Sequence, residues 1–193
     1  MLKRLLPAAT ATVLAVALAA PALAAGPQLK GQAPGWYRVQ LGGFEITALS
    51  DGTIDLPVDK LLQQPPANTL RALQHAYLGV PLETSVNAYL VNTGSKVVLV
   101  DTGTAGLFGP TAGRVLANLK ASGYAPEQVD EIVITHMHGD HIGGASSTAF
   151  PNATLRIDKR DADHWLSPEQ VAKGGAGAQA IAAMAYGTQT IPK

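Results

Sequence analysis

Hydrophobic and polar positions alternate in two short runs, Trp36–Leu41 and residues 44–49, and both read as half-buried strands. Gly42-Gly43 between them predicts a tight hairpin, because both positions tolerate positive φ. Ser50-Asp51-Gly52 is expected to end the second run. Residues 56–66 are irregular and broken by proline, and 69–77 predict a short helix. A second hairpin is expected from 87–92 and 96–100, joined by Thr93-Gly94-Ser95. The arm Val97-Val98-Leu99-Val100 is continuously apolar, which predicts burial on both faces. Asp101-Thr102-Gly103 breaks that strand. Residues 111–122 then predict a helix with Val115, Leu116 and Leu119 on one face and Gly123 as its stop. Two further short strands follow, 132–134 ending at Thr135 and 154–157, and then a helix over 159–166. Residues 168–186 are rich in Ala and Gly and read as a helix interrupted at Gly174-Gly175, with a weak apolar face. Strands first, then strands alternating with helices, predict an α+β layered domain.

The head of the chain has a different pattern. Lys3 and Arg4 precede an uncharged stretch over 8–20, and Ala22-Leu23-Ala24 follows. A charged start, a short apolar core and a small-x-small site make a secretory signal peptide. The core is shorter than the roughly 20 residues a bilayer span needs. Residues 1–24 are therefore expected to be removed, leaving a periplasmic or secreted protein. Residues 25–35 form a flexible Pro/Gly/Gln-rich lead-in, and 36–193 form the domain.

Composition narrows the chemistry. The 193 residues are 47% hydrophobic and 15% charged, which excludes a disordered chain or a long coiled coil. Lys and Arg number 14 against 14 Asp and Glu, so nothing draws the chain generally to nucleic acid or to an anionic membrane. With no cysteine, a transition metal must be held by imidazole and carboxylate.

Thr135-His136-Met137-His138-Gly139-Asp140-His141 supplies both groups within seven residues. It follows a buried strand. Alternate residues of an extended segment point the same way, so His136 and His138 can reach one metal. Asp140 and His141 lie beyond Gly139, where a sharp turn would aim them at a second point. These donors suit Zn²⁺, and also Mn²⁺, Fe²⁺ or Co²⁺. Two metals about 3.5–4 Å apart can hold a bridging hydroxide and bind a substrate oxygen.

The motif HxHxDH resembles that of the metallo-β-lactamase fold. Trp36-Tyr37-Arg38, Leu49-Ser50-Asp51-Gly52-Thr53, Leu99-Val100-Asp101-Thr102-Gly103 and Gly106-Leu107-Phe108-Gly109-Pro110-Thr111 are similar to the methyl parathion hydrolase group within it. The resemblance implies an αββα sandwich with a two-metal edge site, and hydrolysis of a phosphotriester or of a lactone or ester by a metal-held hydroxide. It assigns His136 and His138 to one metal and Asp140 and His141 to the other, with Asp140 as the catalytic carboxylate. Asp101 falls where an acidic residue supports the metal-site loops; turn capping is its other role. Phe108 and Trp165 fall where that group has aromatic walls around the substrate; core packing is their other role. The expected partner is a small molecule, with no nucleic acid and no stable membrane association, and a homodimer remains open for the full-length form.

The family pattern also needs a later His, a bridging Asp and a final His. After His141 the chain has one histidine, His164, in a helical context that matches no metal motif. Asp158, Asp161 and Asp163 stand too close to a helix start to be the bridge, and His75 reads as a helix-surface residue. The chain is thus expected to carry the first half of the sandwich. Two readings stay open: a metal-dependent hydrolase in its full-length form, or a non-catalytic remnant that holds metal weakly or does not fold alone.

Overall fold

The computed structural model describes residues 26, 28, 30–145, 148–173 and 189–191. The expected signal peptide, and the expected C-terminal helix beyond residue 173, lie outside them. Ala33–Lys193 form one compact unit, and the fold below is that of this unit.

One seven-stranded sheet runs in plain sequence order: β1 (Trp36–Leu41), β2 (Phe44–Leu56), β3 (Leu82–Asn92), β4 (Val97–Val100), β5 (Glu131–Ile134), β6 (Thr154–Asp158) and β7 (Gln189–Ile191). β1 to β4 are antiparallel neighbours; β4 to β7 are parallel. The helices are α1 (Val58–Leu61), α2 (Pro66–His75), α3 (Val115–Ala121), α4 (Gly139–Ile142), α5 (Lys159–Trp165) and α6 (Pro168–Lys173). Parallel neighbours need long crossovers. Here those crossovers carry α3, α4 and α5.

The core lies on one face of the sheet. Leu49, Ala88, Leu90, Leu99, Ile132, Ile134, Leu155 and Ile157 occupy alternate positions of five strands and are all buried. Val115 and Leu119 of α3, Ile142 of α4 and Ala162 of α5 join the same cluster. A leucine buried this way contributes about 1.5–3 kcal/mol.

Several boundaries differ from the sequence expectation, each for a physical reason. β2 does not stop at Ser50; it continues to Leu56 through a register shift between Ser50 and Gly52. Asp51 does not break the strand, because its carboxylate turns to the core side and is fully hydrogen-bonded there. β3 begins at Leu82 rather than 87, pairing its first half with that extension. α2 begins at Pro66, whose ring presets the helical φ. α1 lies inside the stretch expected to be irregular. α3 starts at Val115, not 111. The N–H groups of Gly113 and Val115 donate to Asp51 instead of waiting on a helical turn, and Gly113 holds a φ of 86° that no helix allows.

Two-sided burial of β4 does not occur in the described residues. Leu99 is buried and Val97 packs on the same core side, whereas Val98 and Val100, on the second face, are only partly buried. The same phase places Tyr37, Val39, Leu41, Ile46, Tyr89, Val91 and Val133 on that second face. Tyr37 is 71% exposed and Leu41 66%. The apolar surface ends at an ion triad in which Arg156 first, and Lys96 second, hold the Glu131 carboxyl down at about 2.

The two faces should respond differently to mutation. Leu99→Ala should cost about 2–5 kcal/mol in urea unfolding, as expected for a buried leucine. Val39→Lys should change stability by less than about 0.5 kcal/mol while lowering the fluorescence of a bound hydrophobic dye. Equal stability losses for the two variants would contradict this one-sided core.

Candidate metal centre

β5 delivers the His-rich segment. Ile134 and Met137 are both buried, Met137 at 1% exposure, so the extended chain after β5 is anchored in the core by Met137. His136 and His138 flank it and project away from the core. His136 Nε2 lies 3.1 Å from His138 Nδ1. The chain then enters α4, with His138 as its extended N-cap. Asp140 and His141 sit in that single turn, and His141 Nε2 lies 3.2 Å from Asp140 Oδ2. The His136 and His141 rings are 4.0 Å apart between centroids, which brings the two pairs side by side. Gly139 opens a helix instead of making the expected sharp turn. Its missing Cβ provides room, since a Cβ there would lie 3.2 Å from Phe108 Cε2.

Asp101 ties the site to the sheet. It ends β4 with a φ of 60°, a conformation that costs a non-glycine residue about 1–3 kcal/mol. Its Oδ1 accepts the Thr135 N–H at 2.9 Å, and its Oδ2 lies 2.8 Å from His141 Nδ1. Asp101 holds the end of β5, and it engages the ring nitrogen of His141 that faces away from Asp140. The next residue, Thr102, donates both its N–H and its hydroxyl to the His141 carbonyl, at 2.7 and 2.9 Å.

Electrostatics separate the histidines. Burial first, then the neighbouring His141 and His138, hold His136 below the ordinary histidine range, so it is neutral at pH 7. His141 is pushed up to about 9 by its hydrogen bonds to Asp101 and then Asp140. Asp140 is lowered, chiefly by its bond from His141.

The remaining expected residues are distributed around this cluster. Trp165 is partly buried and meets the His138 ring edge-on at 5.3 Å. Phe108, 43% exposed, lies against Gly139. His164 is exposed and stacks edge-on against Trp165, and His75 is exposed on α2.

Sequence reasoning missed Asp51. Fully buried, it accepts N–H bonds from Thr104 and Gly113 on Oδ2 and from Val115 on Oδ1, plus the Thr104 hydroxyl. Gly103 is pressed against it: with a φ of 70°, a Cβ there would lie 2.4 Å from the carboxylate. The available signal was the period of two, which puts Thr47, Leu49 and Asp51 on one face. Asp161 was also missed as a site residue; its Oδ2 accepts the Met137 N–H at 2.8 Å.

These donors fit divalent-metal chemistry. Ligand atoms around a tetrahedral ion with bonds of about 2.0–2.1 Å stand roughly 3.3 Å apart, close to both facing pairs. Among the described residues, no cluster of three or more such donors forms a metal-holding group, so each pair is short of the three protein ligands typical of catalytic zinc.

Comparison with known proteins bears on the family and the fold. The family model for the metallo-beta-lactamase superfamily matches this chain. Residues 82–172 carry the metallo-beta-lactamase superfamily match. A crystal structure described as hydrolase AbOPH in the beta lactamase superfamily is 37% identical, with a TM-score of 0.72 over 84% of this chain and 63% of that one. AidC, described as a dizinc quorum-quenching lactonase, shares the fold at 23% identity and a TM-score of 0.68, over 82% of this chain and 61% of its own. The N-acyl homoserine lactonase AttM of Azorhizobium caulinodans is 37% identical over 60 residues, 31% of this chain and 22% of that protein. The chain thus spans less than two thirds of these relatives. The sheet and helices of this domain are those of the α+β fold expected from its sequence. No helix among the described residues is long and apolar enough to cross a membrane.

The raised His141 makes two pH effects expected. In the metal-free chain, its protonated form stabilises the fold fully below about 6.5, and that contribution is lost as pH rises through about 9. Metal must displace the same proton, so Co²⁺ affinity should climb between pH 7 and 9, approaching about tenfold per pH unit. Calorimetric titrations across that range test it, and an affinity flat with pH would exclude a protonated His141 as a ligand.

Proposed function

We propose that this domain contributes the His/Asp half of a divalent-metal centre in an exported hydrolase of small, uncharged phosphotriesters or lactones. The observation that carries the reading is the pair of facing donor sets, His136 with His138 and Asp140 with His141, backed by Asp101. When bound, divalent metal would supply Lewis-acid polarisation of a phosphoryl or carbonyl oxygen and a more acidic water. His136 enters that role already neutral, with its Nε2 toward His138. Asp101 occupies Nδ1 of His141, which leaves Nε2 on the side of Asp140. Asp140, lowered in pKa, supplies a charged oxygen as the catalytic carboxylate.

Phe108 and Trp165 give the cluster apolar walls, one against Gly139 and the other against His138. Such walls suit an aryl or acyl group and exclude water beside the reacting centre. The resemblance to the methyl parathion hydrolase group favours a phosphotriester; the lactonases among the relatives support a lactone as the second substrate class. The split of the donors into two pairs favours a second reading for the chain as it stands, that of a domain which holds metal weakly and does not turn over substrate.

The two readings are separated by assaying an activated phosphotriester and a simple lactone with excess Zn²⁺, Mn²⁺ or Co²⁺. This chain is expected to turn over neither. A longer form that adds a later His, an Asp and a final His should hold two metals per chain. His138→Ala should there lose metal and nearly all hydrolysis together, because a ligand is gone. Full metal content and activity in that variant would sink the assignment.

Export completes the proposal. Lys3, Arg4 and the small-x-small site at Ala22–Ala24 predict that residues 1–24 are removed. The intact mass of the exported protein should correspond to a start at or near Ala25; a mature protein that retains Met1 would contradict it.

A further inference from the structure

α5 reaches the His-rich segment at two points. Asp161 and Trp165 lie four residues apart, so they share one face of the helix. Trp165 meets the ring of His138, and Asp161 Oδ2 accepts the main-chain N–H of Met137, the residue between the two histidines. β6 runs parallel beside β5 with Ile157 opposite Ile134, so α5 leaves the sheet next to the place where the histidines do. The helix does not use Asp161 as its cap: Asp158 fills that position and accepts the Arg160 N–H. Thr135, His136 and Asp161 also line one cleft of about 320 Å³.

We propose that Asp161 is a positioning residue for the metal centre, fixing the main chain at Met137 so that His136 and His138 present their nitrogens to one point. Met137 is then held twice, by its buried side chain and by its N–H. With both restraints, the main chain at Met137 is fixed between the two histidines, and a twist at that residue is the motion that would part their imidazoles. An unrestrained segment would have to order its rings on binding, which lowers affinity. The inference rests on the metal-centre reading above and adds a residue that is not a ligand.

Two variants separate a hydrogen bond from a charge. Asp161→Asn keeps an acceptor oxygen at the same reach; Asp161→Ala removes it. Asp163→Ala, on the same helix but exposed, controls for helix stability. Co²⁺ binding to the 193-residue chain and hydrogen exchange at the Met137 amide, measured without metal, are the readouts. Asp161→Ala should weaken Co²⁺ binding about 10–100-fold, as loss of a group supporting metal ligands does, and should speed Met137 exchange. Asp161→Asn should stay near wild type in both. Co²⁺ binding as weak in Asp161→Asn as in Asp161→Ala would show that the charge matters and overturn the proposal. Wild-type Co²⁺ binding in a destabilised Asp161→Ala would reduce the residue to a structural role and overturn it as well. If Asp161→Ala does not fold, a folded Asp161→Asn that has lost Met137 protection overturns the proposal, and one that retains it together with wild-type Co²⁺ affinity supports it. A wild-type chain that takes no Co²⁺ sinks the metal-centre reading, and with it the metal-positioning role; the Met137 exchange then reports only whether the hydrogen bond itself exists.

Discussion

Asp101 sits where three pieces of chain must agree. Its backbone ends β4 in the left-handed region; one carboxylate oxygen holds the start of the His-rich segment at Thr135, and the other holds the ring of His141. Neither neighbouring strand nor α4 could fix that geometry alone, because α4 is a single turn with no side-chain cap. A one-turn helix has little stability of its own. It persists here because Thr102 grips its His141 carbonyl from the same loop that Asp101 begins. The site is therefore no more rigid than the loop after β4.

That loop is in turn held by Asp51. A buried carboxylate without a partner would be very costly, and this one accepts from three N–H groups and a hydroxyl. The arrangement also explains Gly103, since any side chain there would enter the carboxylate's space. Strain at Asp101 is thus offset by satisfaction at Asp51, residues that stand 50 positions apart and act on the same few residues of loop.

What was legible in the sequence follows from the range of the interactions. The hairpin at Gly42-Gly43, β1, β4, β5, β6 and α5 depend on local periodicity and turn chemistry, and they were readable to within a few residues, whereas the far half of β2, the first half of β3 and β7 were not. The His and Asp donors were readable because they are adjacent in the chain. Asp51 and Asp161 were not, because their partners lie on other elements: Thr104, Gly113 and Val115 for one, Met137 for the other. The start of α3 was misplaced for the same reason, since Asp51 takes N–H groups that local pattern assigns to the helix. The valines of β4 mislead differently. An apolar run reports that a strand can be buried on two faces, and the described residues bury only the face that α3, α4 and α5 cover.

The change from antiparallel to parallel pairing at β4 explains why the site lies where it does. Parallel strands all end at the same edge of a sheet, and ligand sites of open α/β sheets gather there. β4, β5 and β6 end at Val100, Ile134 and Asp158, and the following residues are Asp101, the His-rich segment and the helix that carries Asp161 and Trp165. In an antiparallel continuation, β5 would have delivered its histidines to the opposite edge, beyond the reach of Asp101. The parallel crossovers thus bring a carboxylate, three imidazoles and an aromatic wall to one edge from segments that share no local sequence signal. Burial of Val115 and Leu119 of α3 in the common core is what makes that crossover stable. The hydrophobic face of the sheet therefore determines, through strand direction, which polar groups can meet.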